Sequence, residues 1–314
     1  MYKRQGPEGL VASIGAFTSI FAAIMAITEK DIKRILAYST ISQLGYMFIG
    51  VGIGAYAVGI FHLITHAFFK ALLFLAAGSV MHALHGELNL EKMGGLLKKL
   101  PWTGTFFIVG AIALAGIPPG AGFFSKDLIL EEALLRGHIV IYWIGTITAL
   151  LTAFYIWKLV FLVFFGEPRE KEIYEKAHEP TLVMLFPLFI LALGSVTVGF
   201  LGWGVHSRFM EVLSPVFKTH EEIGEISKFL KWLPLSFGIL GVILAYATYI
   251  LRVPDPERIS KKAGILYQIV SRKFYVDEIY ALFITGPLFG ISKMARAILE
   301  KGVIDGTVNG SAAF

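Results

Sequence analysis

Between Ile35 and Gly86 the chain runs for 52 residues with Lys70 as its single Lys and with no Arg, Asp or Glu. About 20 mostly apolar residues cross the roughly 30 Å of bilayer hydrocarbon. A stretch of this length therefore reads as two membrane helices, hinged at Gly50-Val51-Gly52-Ile53-Gly54. The rest of the chain agrees: 56% of the 314 residues are hydrophobic and 16% charged, where soluble domains hold about 45–50% and 25%. The 33 glycines are better tolerated in membrane helices than in soluble ones. With no Cys, the chain can carry no disulfide, thiolate-ligated iron–sulfur cluster or zinc finger.

Further apolar windows run over 9–28, 139–165, 182–205 and 233–251. Residues 101–136 are two apolar halves of about 15 residues around Gly116-Ile117-Pro118-Pro119-Gly120-Ala121-Gly122. Neither half spans alone, and the Pro and Gly residues remove donors and loosen the helix. One span broken in mid-membrane is expected, with two re-entrant legs as the alternative. The expected fold is thus an all-α polytopic membrane protein of about seven transmembrane helices, one of them broken. No signal peptide is evident, since Met1-Tyr2-Lys3-Arg4-Gln5 leads into a full-length span.

With the broken segment counted once, loops 29–34, 87–99, 166–180 and 252–262 share a side and carry 13 Lys and Arg. The opposite side carries seven: Lys3, Arg4, Arg136, Arg208, Lys218, Lys228 and Lys231. By the positive-inside rule the N-terminus lies outside and the richer face in the cytoplasm, in the inner (plasma) membrane of a cell. The net charge of +5 is spread over these loops, with no basic stripe along one element, so nucleic acid is not an expected partner. From Tyr275 onward, apolar Val276, Ile279, Tyr280, Phe283, Pro287, Ile291, Met294 and Ile298 recur at helical spacing against charged neighbours. This is an amphipathic helix, expected along the cytoplasmic interface with a bend at Pro287.

Ionisable side chains inside hydrocarbon are costly and mark ion or proton routes by default. His62, His66 and Lys70 stand at i, i+4 and i+8, stacked on one helix face over about 12 Å of rise. Ser39, Ser42, Gln43 and Tyr46 form a polar stripe on the preceding span, and Ser125, Lys126 and Asp127 follow the break. Read blandly, the histidines are neutral groups bonded to neighbouring helices. A metal on His-x-x-x-His is disfavoured because the helix offers no carboxylate and Lys70 would repel the cation. Gly52-Ile53-Gly54-Ala55-Tyr56-Ala57 follows no strand and is not a nucleotide site. Lys70, near the middle of its span, and Lys126, beside the break with Asp127 as counter-charge, are lysines able to give and take a proton. Lys158 lies about two turns from the loop after Phe165 and reads as a lysine snorkelling to the headgroups.

The runs EKDIKRILAYSTISQLGYMFIGVG, FHLITHAFFKALLFLAAGSV, MGGLLKKLP and GIPPGAGFFSKDLIL resemble the antiporter-like subunits of respiratory complex I. The same family has members in multisubunit sodium/proton antiporters and membrane-bound hydrogenases. KFYVDEIYALFITGPL and VIDGTVNG resemble the tail of its distal, L-type members. The resemblance implies paired inverted five-helix repeats, each with a broken helix, then extra spans and a lateral helix. It places the second repeat, counted as four spans with the last-but-one broken, at 1–165. Two additional spans with their loops fall at 166–262, and the start of the lateral helix at 263–314. The first repeat, with its buried Glu and Lys, is expected to be missing from this chain.

Residue by residue, the resemblance makes His62, His66 and Lys70 a central polar axis and Lys33 a lysine at the cytoplasmic mouth. It makes Lys126 with Asp127 the broken-helix lysine of a second half-channel. Ser42 and Tyr46 complete the expected proton pathway. No residue is expected to be catalytic in the chemical sense, and no cofactor or metal is expected in this chain. FMN, iron–sulfur clusters and quinone would belong to other subunits, and the partners would be neighbouring membrane subunits. The implied function is proton translocation coupled to quinone reduction in NADH-quinone oxidoreductase. Sodium/proton exchange in an antiporter or hydrogenase complex is the alternative, and a passive scaffold would have no reason to bear the buried charges.

Overall fold

The computed structural model describes residues 7–202, 208–217 and 227–313. Lys3, Arg4 and Lys218, and the last residues of the 182–205 window, lie outside the described residues. The helices are α1 Pro7–Thr28, α2 Ile32–Gly52, α3 Tyr56–Ala83, α4 Pro101–Ala115, α5 Ala121–Leu135, α6 Ile139–Phe164 and α7 Lys171–Lys176. They continue with α8 Leu182–Thr197, α9 Arg208–Leu213, α10 Lys228–Tyr249, α11 Pro256–Ser271, α12 Val276–Tyr280, α13 Gly286–Ala295 and α14 Asp305–Ala312. No strand occurs among the described residues, only an isolated bridge between Asp31 and Asn89. The chain is an all-α polytopic membrane protein.

Two compact units divide at Lys262 and Ala263. In the first, α1, α2, α3, α6, α8 with its 3-10 extension Val198–Gly202, and α10 are long and apolar enough to cross a bilayer. At 15 residues each, α4 and α5 cross only as a pair. Five crossings therefore precede residue 165, not the four assigned to that repeat from the sequence.

Local chemistry explains the helix ends. α2 starts at Asp31, whose carboxylate accepts from the Lys33 and Arg34 amides at 2.8 and 3.0 Å. Its N-terminal rim is tied to the loop after α3 by Ile32 N–H to the Leu88 carbonyl and Leu90 N–H to the Lys30 carbonyl. The ion pairs Lys30–Glu91 and Lys92–Glu87 flank these ties. The Lys92 ammonium and then the Asn89 amide hold the Glu87 carboxyl below the usual carboxylate range. α1 and α2 approach closely because Gly15 and Gly45 face each other's backbone, where any Cβ would collide.

At the break, α4 ends on Gly116 at φ +75°, a left-handed conformation that favours glycine. Pro118-Pro119 is cis, and α5 restarts at Ala121. Gly122 packs so close to the Ala113 carbonyl that a side chain there would overlap it. The two halves lie at opposite ends of the bundle. Gly104 on α4 packs against Phe164, at the end of α6, while Arg136, after α5, donates to the Ile53 carbonyl just past α2 at 3.0 Å. The segment thus crosses once, which excludes the re-entrant alternative.

The interior is layered. One apolar cluster, including Ile35, Leu72, Leu73, Phe107, Leu159 and Phe164, fills the rim end. Another, including Ala12, Ile49, Val58, Ile129 and Ile141, fills the far end. Between them the buried residues are polar: Ser39, Ser42, Gln43, His62, Thr65, His66, Lys70, Ser125, Lys126, Thr148 and Thr152.

Residues 263–314 form the second unit. The chain is helical from Val276 to Ala312, with wide π turns at Ala281–Thr285 and Arg296–Ile304. Pro287 lies in unbroken helical backbone, and in place of the expected bend a π turn precedes it, because proline cannot donate to the carbonyl four residues back. No described side chain from Val276 onward is buried. Pro256–Ala312 also contains an 18-residue window apolar enough to cross a membrane.

Candidate functional site

The polar layer is organised by α3. His62 bridges two other helices: its Nδ1 meets Ser125 Oγ of α5 at 2.8 Å and its Nε2 meets Gln43 Oε1 of α2 at 3.1 Å. A neutral imidazole donates from one ring nitrogen and accepts at the other, so both ends of the ring are engaged by these two partners. Thr65 Oγ1 joins Ser125 Oγ at 2.7 Å, so the bridge holds a second hydroxyl. One turn further along α3, the His66 ring lies 6.1 Å from that of His62, centroid to centroid, and its Nε2 is buried without a hydrogen-bond partner.

Lys70 comes a turn later. It is buried, and its Nζ donates to the Leu36 carbonyl of α2 at 2.8 Å. That oxygen is also bonded by Thr40 Oγ1 at 3.0 Å. Phe74 lies against the same ammonium, 5.3 Å from Nζ to the ring centroid. Hydrocarbon, an aromatic face and carbonyl dipoles surround this cation, and none of them fixes it as an ion pair.

Lys126, 1% exposed, donates to the Ala115 carbonyl at 3.1 Å. Ala115 is the last residue of α4, where carbonyls lack intrahelical partners and the helix dipole is negative. The break therefore supplies a site for a cation. Asp127 is half-buried and forms no hydrogen bond or ion pair with Lys126 among the described residues. Adjacent helical residues point about 100° apart, so the counter-charge expected at i+1 does not face the ammonium.

The remaining expected residues take separate places. Tyr46 donates to the Gly145 carbonyl of α6 at 2.6 Å, and Ser42 donates to the Ser19 carbonyl of α1 at 2.8 Å. They hold α2 to its neighbours. Lys33 sits half-buried in the first turn of α2, at the rim. His62, His66, Lys70 and Lys126 are thus drawn into one layer, whereas Lys33 and Asp127 lie apart from its hydrogen bonds.

Lys158 contradicts the snorkelling expectation. It is 6% exposed, and its Nζ donates at 2.7 Å to both the Ile27 and Glu29 carbonyls, at the end of α1. Distance from the loop was a poor guide because unmet carbonyls at the end of a neighbouring helix lie within hydrogen-bonding reach of the ammonium. Glu179, from a connector that offered no signal in the sequence, was missed. Its carboxylate accepts from the Trp102 amide at 2.9 Å and from the Thr103 amide at 3.0 Å and hydroxyl, at the start of α4. The available clue was Leu100 before Pro101: a helix start with no side-chain acceptor needs one from elsewhere.

Among the described residues no three of His, Cys, Asp and Glu come together as metal ligands. Both nitrogens of His62 are already engaged by Gln43 and Ser125.

Residues 7–152 match the family described as NADH:quinone oxidoreductase/Mrp antiporter, TM. This matched segment, just under half of the chain, is similar to that family. It is 42% identical over 296 residues to NADH-quinone oxidoreductase subunit L of Rickettsia felis, covering 88% of this chain and 46% of that one. It is 41% identical to NAD(P)H-quinone oxidoreductase chain 5 of Picosynechococcus, covering 96% and 50%. With NADH-ubiquinone oxidoreductase chain 5 of Phytophthora infestans the identity is 38%, over 94% and 47%. The chain spans about half the length of these curated relatives.

Two solved structures share the fold. One is the membrane-bound sulfane sulfur reductase, an archaeal respiratory membrane complex, with a TM-score of 0.69 and 24% identity over 98% of this chain and 55% of that one. The other is the Mrp complex of a Dietzia species, with a TM-score of 0.56 and 22% identity over 83% and 49%.

Proposed function

We propose that the chain is a proton-translocating membrane subunit of an NADH-quinone oxidoreductase, moving protons through its buried polar layer while quinone is reduced elsewhere in the complex. The observation that carries this is a line of buried protonatable groups, Lys126, His62, His66 and Lys70, running between two dry clusters and held by neutral dipoles. Ion-paired lysines would be structural. These two are not ion-paired among the described residues, so each can release its proton without stranding a carboxylate.

Lys126 lies beside Ser125, which bonds His62, and His62 stands about 12 Å along α3 from Lys70. Two ammonium groups at an assumed separation of about 12 Å would repel by roughly 1.4 kcal/mol at an effective dielectric of 20, a factor of about ten in proton affinity. A proton arriving at one lysine therefore helps the other's to leave. The histidines span the gap, Lys33 stands at the rim as the mouth of the path, Ser42 and Tyr46 hold its wall, and Asp127 tunes the field at the break. The chain binds no redox cofactor. FMN, iron–sulfur clusters and quinone sit in other subunits, and neighbouring antiporter-like subunits cover its flanks. The lysine-rich rim faces the cytoplasm, the N-terminus lies outside, and residues 263–314 run along the cytoplasmic face.

Sodium/proton exchange is the second reading, favoured by the family's Mrp members. The test is quinone-driven proton uptake by proteoliposomes holding the whole complex. Lys126→Ala should reduce it at least tenfold with assembly intact on native gels, and replacing sodium by choline should leave the wild type unchanged. Collapse of the wild-type signal in choline would favour exchange, and undiminished uptake by Lys126→Ala would refute both.

A further inference from the structure

Where α4 starts and α6 ends, two loops meet backbone to backbone. Gly95 N–H donates to the Phe165 carbonyl at 3.1 Å, and a Cβ on Gly94 would overlap the Glu167 carbonyl. Gly95 and Gly166 hold φ of +64° and +73°, which favours glycine at both. With no side chains over this seam, a groove of about 220 Å³ opens beside it, lined by Leu97, Lys98, Phe164 and Phe165. One water needs only about 10–15 Å³. The walls offer hydrocarbon and aromatic faces, and Lys98 is the charged residue on the lining.

The cation at this groove is unmatched. Lys30 and Lys92, on the same rim, pair with Glu91 and Glu87, and Lys99 reaches the Tyr174 face and the Glu175 carbonyl. Lys98 is exposed, and among the described residues its ammonium has no ion pair or hydrogen bond. Two more cations gather at the end of α6. Arg169 Nη1 donates to the Leu162, Leu90 and Met93 carbonyls. Its pKa is lowered first by partial burial and next by the charge of Arg252, which follows α10. Trp102, one turn after Lys98 and 61% exposed, marks the depth, since tryptophan concentrates at the membrane–water boundary. Cations at headgroup level beside an apolar groove suit an anionic phospholipid.

We propose that this groove binds one anionic phospholipid, with an acyl chain along Leu97, Phe164 and Phe165 and the phosphate on Lys98. Lipid that merely surrounds the bundle would not distinguish headgroups, whereas this site does. The inference stands on the rim and needs nothing of the proton reading.

Photolabelling of the intact complex in nanodiscs tests it, using phosphatidylglycerol or phosphatidylcholine with a diazirine in the acyl chain and mass spectrometry to locate the modified residues. Each surface cation strengthens anionic-lipid binding about fivefold. Phosphatidylglycerol should therefore label Leu97 and Phe165 at least fivefold more than phosphatidylcholine does. Lys98→Gln should lower that label about fivefold, and Lys98→Arg should keep it. Phe189, 55% exposed on α8, should take both lipids equally in every variant. Equal labelling of the groove by the two lipids would overturn the proposal, as would an unlabelled groove, which would mean that a neighbouring subunit covers it. Loss of the label to excess inorganic phosphate would also overturn it, because the site would then read a free anion and not a lipid.

Discussion

Among the described residues, the buried lysines are held by backbone carbonyls, two of them at helix ends. Lys126 serves Ala115 at the end of α4, Lys158 serves Ile27 and Glu29 past α1, and Lys70 shares the Leu36 carbonyl with Thr40. Lys158 has two acceptors and no room to leave, so its loss should be structural. Lys158→Ala strands two carbonyls and removes charge-assisted bonds, a loss of about 2 kcal/mol or more. Thermal scans of the purified complex should show a lower Tm and native gels less assembled complex; an unchanged Tm would show that the capping bonds contribute little. That outcome reverses what the sequence suggests. Lys158 looks mild there because position along a helix gives distance to the headgroups and says nothing of where a neighbouring helix ends. His62, His66, Lys70 and Lys126 were legible for the opposite reason: charge inside an apolar run is visible without knowing any neighbour.

At the scale of elements, the broken helix is held at both ends by groups from elsewhere. Glu179 meets the donors of α4 at its start and Lys126 meets its last carbonyl, each at the dipole end of opposite sign. Glu179→Ala should destabilise α4 by roughly 0.5–2 kcal/mol, the range for losing a helix N-cap. The measurement is the Tm of the purified complex, and Glu179→Gln, which keeps an acceptor, should lose less. Equal losses for Ala and Gln would place the effect in charge and not in the cap. Within the break, Gly122→Val would drive a side chain into the Ala113 carbonyl, so the assembled complex should fall below detection on native gels; normal assembly would mean that α4 and α5 can separate freely. The break itself was legible, because Pro-Pro between glycines has few other readings in an apolar segment. The clamp was not, because its anchor lies 76 residues from Thr103.

Over the whole molecule, the helix count and the shared ends of the loops follow from hydropathy and charge, whereas the layering of two dry clusters around a polar middle needed the packing. Which end faces the cytoplasm rests on the charge asymmetry, and single cysteines report it without background, since the chain has none. Lys98→Cys, at the lysine-rich rim, should resist an impermeant maleimide added to intact cells, and His138→Cys, at the far end, should react; the reverse pattern would invert the topology. The central claim is that a lysine at the break cycles between charged and neutral. The most direct measurement is proton uptake by proteoliposomes holding a fully assembled Lys126→Arg complex. A guanidinium keeps the charge and can still bond the Ala115 carbonyl, but it does not give up its proton. The account predicts uptake at least tenfold below wild type with assembly unchanged, and wild-type pumping by that complex would contradict it.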